Sequence, residues 1–73
     1  MKISYNKLWK KLIDLSLSKT QLRELSGIST VTLAKLSKNQ TVSMEALMKI
    51  CTALRCDLND ICEFIKDTEP TEM

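Results

Sequence analysis

Residues 18–36 read Ser18-Lys19-Thr20-Gln21-Leu22-Arg23-Glu24-Leu25-Ser26-Gly27-Ile28-Ser29-Thr30-Val31-Thr32-Leu33-Ala34-Lys35-Leu36, which outlines two short capped helices joined by a tight turn. Ser18 and Gln21 stand at the S-x-x-Q spacing of a capping box, so a helix is predicted from Lys19 with two of its orphan amides satisfied. Gly27 stops that helix, because glycine takes the left-handed conformation without a Cβ penalty. Ser29 is a second N-cap, and the chain restarts as a helix over Thr30 to Ser37. The outline is that of a helix-turn-helix, with the second helix in the position that reads a duplex.

Working outward, Tyr5 to Leu17 reads as a first helix capped by Ser4. Leu8, Leu12 and Leu15 form its apolar stripe, and Trp9 and Ile13 widen it. The helix from Lys19 buries Leu22 and Leu25, Ile28 plugs the turn, and the next helix buries Leu33 and Leu36. Asn39 follows where a left-handed cap is wanted. Ser43 caps a fourth helix, Met44 to Leu54, with Leu47, Ile50, Cys51 and Leu54 on one stripe. Asp57 caps a fifth, Leu58 to Ile65, with Leu58, Ile61, Cys62 and Ile65 at helical spacing. The fold class predicted is all-α, with five helices in one domain over residues 1–66. An acidic, frayed tail is expected over residues 67–73, where Thr, Glu and Pro70 leave nothing to bury.

Seventy-three residues with one Gly and one Pro suit a single helical domain rather than a turn-rich β fold. The net charge of +2 is unevenly placed: residues 1–40 carry +6 and residues 41–73 carry −4. The basic half is the half that holds the two capped helices, which suggests a nucleic-acid face on one side and an acidic end on the other. Three cysteines, Cys51, Cys56 and Cys62, occur with no histidine and no C-x-x-C pair. A zinc site would need a fourth ligand, so no metal and no cofactor are expected, and Cys51 and Cys62, which fall on apolar stripes, read as small core hydrophobes in a reducing cytoplasm. Asp14 interrupts the apolar run after Trp9, which argues against a signal peptide or a membrane span, so a cytoplasmic protein is expected.

With Leu33 and Leu36 inward, the 100° step per residue turns Val31, Ala34, Lys35 and Lys38 outward, flanked by Thr30 and Thr32. An outward Val suits a thymine methyl, and Ala34 permits close approach. Lys35 can bond the O6 and N7 of guanine or reach a phosphate. Lys38, Asn39, Gln40 and Thr41 are better placed for the DNA backbone.

These residues resemble the Cro/phage-repressor type of helix-turn-helix regulator, also called the XRE family, over about residues 4–65. The resemblance rests on Leu17-Ser18-Lys19, Leu22, the Gly27-Ile28-Ser29 turn, Leu33 and Leu36. It also rests on the run Leu47-Met48-Lys49-Ile50-Cys51-Thr52-Ala53-Leu54-Arg55-Cys56-Asp57-Leu58, which is similar to small stand-alone members. It implies a five-helix, lambda-repressor-like domain that binds operator DNA, usually as a dimer. By position it implies base contacts from Thr30, Val31 and Lys35, and backbone contacts from Lys19, Ser29, Thr32, Lys38, Asn39, Gln40 and Thr41. The chain departs from the pattern twice. Arg23 replaces a small residue, so its stem must lie along the third helix or tilt the pair. Leu12 and Ser37 stand where many members pair an Arg with a Glu, and apolar packing can replace such a pair without loss.

The function expected is a sequence-specific DNA-binding transcriptional regulator, in particular a repressor. The other reading is a protein-interaction module on the same scaffold, such as an antitoxin-like or adaptor partner. No convergent acid, base and nucleophile set is visible, so an enzyme is not expected. One reading helix spans only a few base pairs, so a homodimer on a pseudo-palindromic operator is expected. Its surface is sought at Cys56, Leu58 and Phe64, because some of these apolar side chains should exceed what one core can bury; ordinary core or isolated surface positions are the other reading.

Overall fold

The computed structural model describes residues 1–66, and the acidic segment 67–73 lies outside them. The order of elements is β1 (Lys2–Ser4), α1 (Asn6–Asp14), α2 (Lys19–Ser26), α3 (Thr30–Ser37), α4 (Met44–Leu54), a 3-10 turn (Leu58–Asp60) and β2 (Glu63–Ile65). Four helices are present among these residues rather than five.

The predicted fifth helix is the main correction. Asp57 starts a turn, and its amide donates to Asp60 Oδ2 at 3.0 Å. The backbone then closes Ile61 N–H and Cys62 N–H onto Leu58 O at 3.0 and 3.2 Å, and no helix continues beyond them. Residues 63–65 instead pair antiparallel with β1, with Lys2 opposite Ile65, Ile3 opposite Phe64 and Ser4 opposite Glu63. Short apolar runs of this kind do not distinguish helix from strand, and aromatic and β-branched residues such as Phe64 and Ile65 favour the strand once an edge is available.

The first helix is also shorter than its sequence pattern. It ends at Asp14, where Ser16 turns left-handed at φ 58°. Ser16 N–H bonds Ile13 O at 3.1 Å and Leu17 N–H bonds Leu12 O at 2.8 Å, a Schellman motif that satisfies the last carbonyls. At the other end Tyr5 rather than Ser4 occupies the N-cap position, although Ser4 Oγ still accepts the Asn6 amide at 3.3 Å. Leu15 falls beyond the helix and is exposed, and Ile13 is 75% exposed because no element among the described residues covers that edge of the stripe.

The boundaries of α2, α3 and α4 follow the sequence. Ser18 Oγ accepts the Gln21 amide at 3.1 Å while Gln21 Oε1 accepts the Ser18 amide at 2.8 Å. Gly27 takes φ 80° with its amide on Arg23 O at 2.9 Å. Ser43 Oγ accepts the Ala46 amide at 3.1 Å. Helix α4 ends in another Schellman motif, with Arg55 left-handed and Cys56 N–H on Cys51 O at 3.0 Å.

The core joins Tyr5, Leu8, Leu12, Leu22, Ile28, Leu36, Ala46, Leu47, Ile50 and Ile61. Helix α2 packs on both α3 and α4. Leu25, expected inside, is 60% exposed and borders a groove with Met48 and Ala53 of α4.

Candidate nucleic-acid interface

Helix α3 presents Thr30, Val31, Ala34 and Lys35 to solvent, while Leu36 is fully buried and Leu33 half-buried. Val31 is 66% exposed, an unusual placement for an aliphatic side chain on a helix whose leucines turn inward. Among the described residues, no hydrogen bond or ion pair engages the side chain of Lys35. The face therefore keeps its polar and apolar groups available to a partner.

Ser29 and Thr32 behave differently from this face. Ser29 Oγ accepts the Thr32 amide at 3.1 Å and donates to Thr32 Oγ1 at 3.0 Å. Both hydroxyls are thus engaged in capping α3, and Thr32 is half-buried. What they leave to a ligand is the start of the helix, whose first amides point outward with the positive end of the dipole.

Lys19 occupies the junction of three helices. Its ammonium lies 4.4 Å from the centroid of the Trp9 ring on α1 and donates to Ser37 Oγ on α3 at 3.2 Å. Ser37 thus gains a cross-helix partner from α2, while Leu12, the other departure from the family pattern, is buried in the core. Arg23 is half-buried, which agrees with a stem laid against its neighbours.

Lys38, Gln40 and Thr41 are exposed in the segment after α3. Asn39 is left-handed at φ 56°, and Gln40 N–H reaches back to Lys35 O at 2.9 Å. Two contacts from far along the chain hold this segment. Tyr5 N–H donates to Asn39 Oδ1 at 3.3 Å, and Tyr5 Oη donates to Gln40 O at 2.8 Å. Sequence reasoning placed Tyr5 only as the start of a helix. The one available hint was a lone tyrosine next to a capping serine, since a buried phenol needs an acceptor.

The remaining site expectations fall elsewhere. Phe64 is 71% exposed on β2, Leu58 is partly exposed, and Cys56 is half-buried. The Cys51 thiol is pushed up to about 11 by burial first and by the neighbouring Cys56 second, and burial also raises Cys62. Lys7 joins the C-terminal segment instead of the basic face, donating to Asn59 O at 3.0 Å and pairing with Glu63 at 3.7 Å.

A model of the Cro/C1-type helix-turn-helix DNA-binding domain matches residues 7–67. The chain belongs to this family. Its fold is also similar to the crystal structure of the transcriptional regulator VanUg, with a TM-score of 0.86 and 50% sequence identity, over 90% of this chain and 88% of that one. A search of curated proteins found no match. As a Cro/C1-type domain, the chain is a DNA-binding module whose α2, Gly27 turn and α3 form the helix-turn-helix. No helix among the described residues is long and apolar enough to cross a membrane.

Proposed function

We propose that this Cro/C1-type protein is a sequence-specific transcriptional regulator, acting as a repressor in the cytoplasm, that reads the major groove with α3. DNA binding follows from the family, and the role of the 50%-identical neighbour supports regulation of transcription. The observation that carries the assignment of the reading surface is the open face of α3. Thr30, Val31 and Lys35 are exposed there, against a core sealed by Leu36. These three side chains contact base edges, with Val31 against a thymine methyl and Lys35 on guanine. Lys19, Lys38, Gln40 and Thr41 meet phosphates, joined by the amides at the start of α3 near Ser29 and Thr32 and by the free amide end of Asn39. The activity is binding, with no catalytic step.

A second copy completes the site. The exposed Phe64 and Leu58 support a dimer surface at the C-terminal end of the described chain, with Cys56 at its margin. Half-site centres then lie about one helical turn, roughly 34 Å, apart on a pseudo-palindrome. Selection from a random duplex library, followed by titration and sedimentation on the selected site, tests the whole reading. Raising salt from about 50 to about 200 mM should weaken binding roughly 10³-fold if about six phosphates are neutralised. Absence of duplex binding by folded protein at the lower salt would sink the reading. One protomer on an asymmetric site would remove only the dimer.

A further inference from the structure

The segment that follows the reading helix is clamped from a distance. Helix α3 ends in a Schellman motif, with Asn39 N–H on Leu36 O at 3.1 Å and Gln40 N–H on Lys35 O at 2.9 Å. That motif fixes the turn but leaves the Gln40 carbonyl and the Asn39 side chain without local partners. Tyr5 supplies both. As the N-cap of α1 its amide has no intrahelical acceptor, and it finds Asn39 Oδ1 at 3.3 Å. Its ring is fully buried among the core residues, and its hydroxyl emerges at Gln40 O, 2.8 Å away. Burial and the nearby Cys62 raise the phenol above its ordinary range, so the hydroxyl remains a donor throughout the neutral range. Ser4, one residue earlier, is paired with Glu63 of β2. The clamp is therefore anchored on a strand as well as on the core.

We infer that Tyr5 is a positioning residue for DNA binding: its amide and hydroxyl hold Asn39 and Gln40 so that the exposed Lys38–Thr41 segment meets the DNA backbone in one preset arrangement. The inference rests on the DNA-reading role of α3 proposed above. Preset contacts avoid the ordering cost that a mobile loop would incur on binding. Base choice does not pass through this loop, so the clamp governs affinity and salt dependence while leaving the preferred sequence alone.

Tyr5→Phe keeps the buried ring and removes the hydroxyl contact. Asn39→Gly keeps a residue at home at positive φ and removes the amide contact without touching the core. For each variant, folded by circular dichroism, three properties are measured. These are duplex affinity against salt, the sequence selected from a random library, and hydrogen exchange of the amides of residues 39 and 40 in the free protein. Each variant should bind about 5- to 10-fold more weakly, as one net hydrogen bond implies. The log–log salt slope should become shallower by about one unit for each phosphate that the loop no longer reaches. The exchange should quicken and the selected sequence should stay unchanged. A folded Tyr5→Phe protein with wild-type slope and affinity overturns the inference and leaves the DNA-reading role intact, as does unchanged exchange. If Tyr5→Phe does not fold, Asn39→Gly decides by hydrogen exchange in the free protein, a reading that the proposed contact of Asn39 with DNA does not enter: quickened exchange at residue 40 supports the clamp and unchanged exchange overturns it. A wild-type protein that binds no duplex overturns both, and is recognised by that failure before any variant is made.

Discussion

The two ends of this domain are built on different length scales. From Ser18 to Ser37 the defining contacts join residues three to four apart: Ser18 with Gln21, Gly27 with Arg23 and Ser29 with Thr32. At the other extreme, β1 and β2 join Lys2 to Ile65, and Ile61 enters a core shared with Tyr5 and Leu8. The helix-turn-helix thus has its shape written into its own capping chemistry. The C-terminal segment acquires its shape only by docking on a partner from the other end of the chain, and it must close a long loop to do so.

The comparison breaks most visibly at Ile61. Ile61→Ala should cost about 2 to 5 kcal/mol in urea denaturation, because it empties a fully buried site. A loss well under 1 kcal/mol would mean that the C-terminal clasp contributes little, and that the helices hold the fold alone.

On α3, the proposed reading helix, the loss should appear in binding and not in stability. Val31→Ala and Lys35→Ala should each cost about 1 to 3 kcal/mol on the preferred site and relax the choice of one base. Titration of each variant on matched and mismatched duplexes measures this. An unchanged preference in both would displace the reading face from these residues.

Gly27→Ala sharpens the local side of the comparison. A Cβ there would meet nothing within 4 Å, so the expected cost of about 1 to 2 kcal/mol is entirely that of forcing a left-handed residue. Thermal unfolding would register it, and a neutral result would show that the turn can relax.

The last effect concerns pH and shows only under alkaline conditions. The Cys51 thiol has an ordinary value of 9.0 and is raised to about 11 in the fold. Its contribution to stability is therefore fully present below pH 9.0 and is lost as pH rises toward about 11. A denaturation midpoint that falls across this window in the wild type should fall less steeply in Cys51→Ala.

What the sequence disclosed follows the same division of length scales. Ser18, Gln21, Gly27, Ser29 and Ser43 each act on amides or carbonyls within four residues, so their spacing alone located α2, α3 and the start of α4. The segment from Leu58 to Ile65 carries helical spacing too, but its outcome depends on an edge offered by Lys2–Ser4, which no local pattern reveals. The same holds for Tyr5, whose partners Asn39 and Gln40 lie more than thirty residues away. Periodicity also oriented the helices without showing what would cover them. Leu22 and Leu36 lie inside as their stripes predict, whereas Ile13 and Leu25 sit at stripe edges that the described residues leave largely exposed. On the candidate interface, the outward set of Val31, Ala34 and Lys35 was legible from the helical step. The engagement of Ser29 and Thr32 with each other, and of Lys19 with Ser37, required the packed arrangement.

The junction of Lys19 with Trp9 gives the protein an optical handle. Trp9 is the chain's single indole, and the ammonium 4.4 Å from its ring centroid belongs to a side chain proposed to meet a phosphate. An indole's emission responds to charge at its face. A phosphate that draws the ammonium away would therefore change the fluorescence of the unlabelled protein, and the colour of that light would report whether the second helix has reached the DNA backbone.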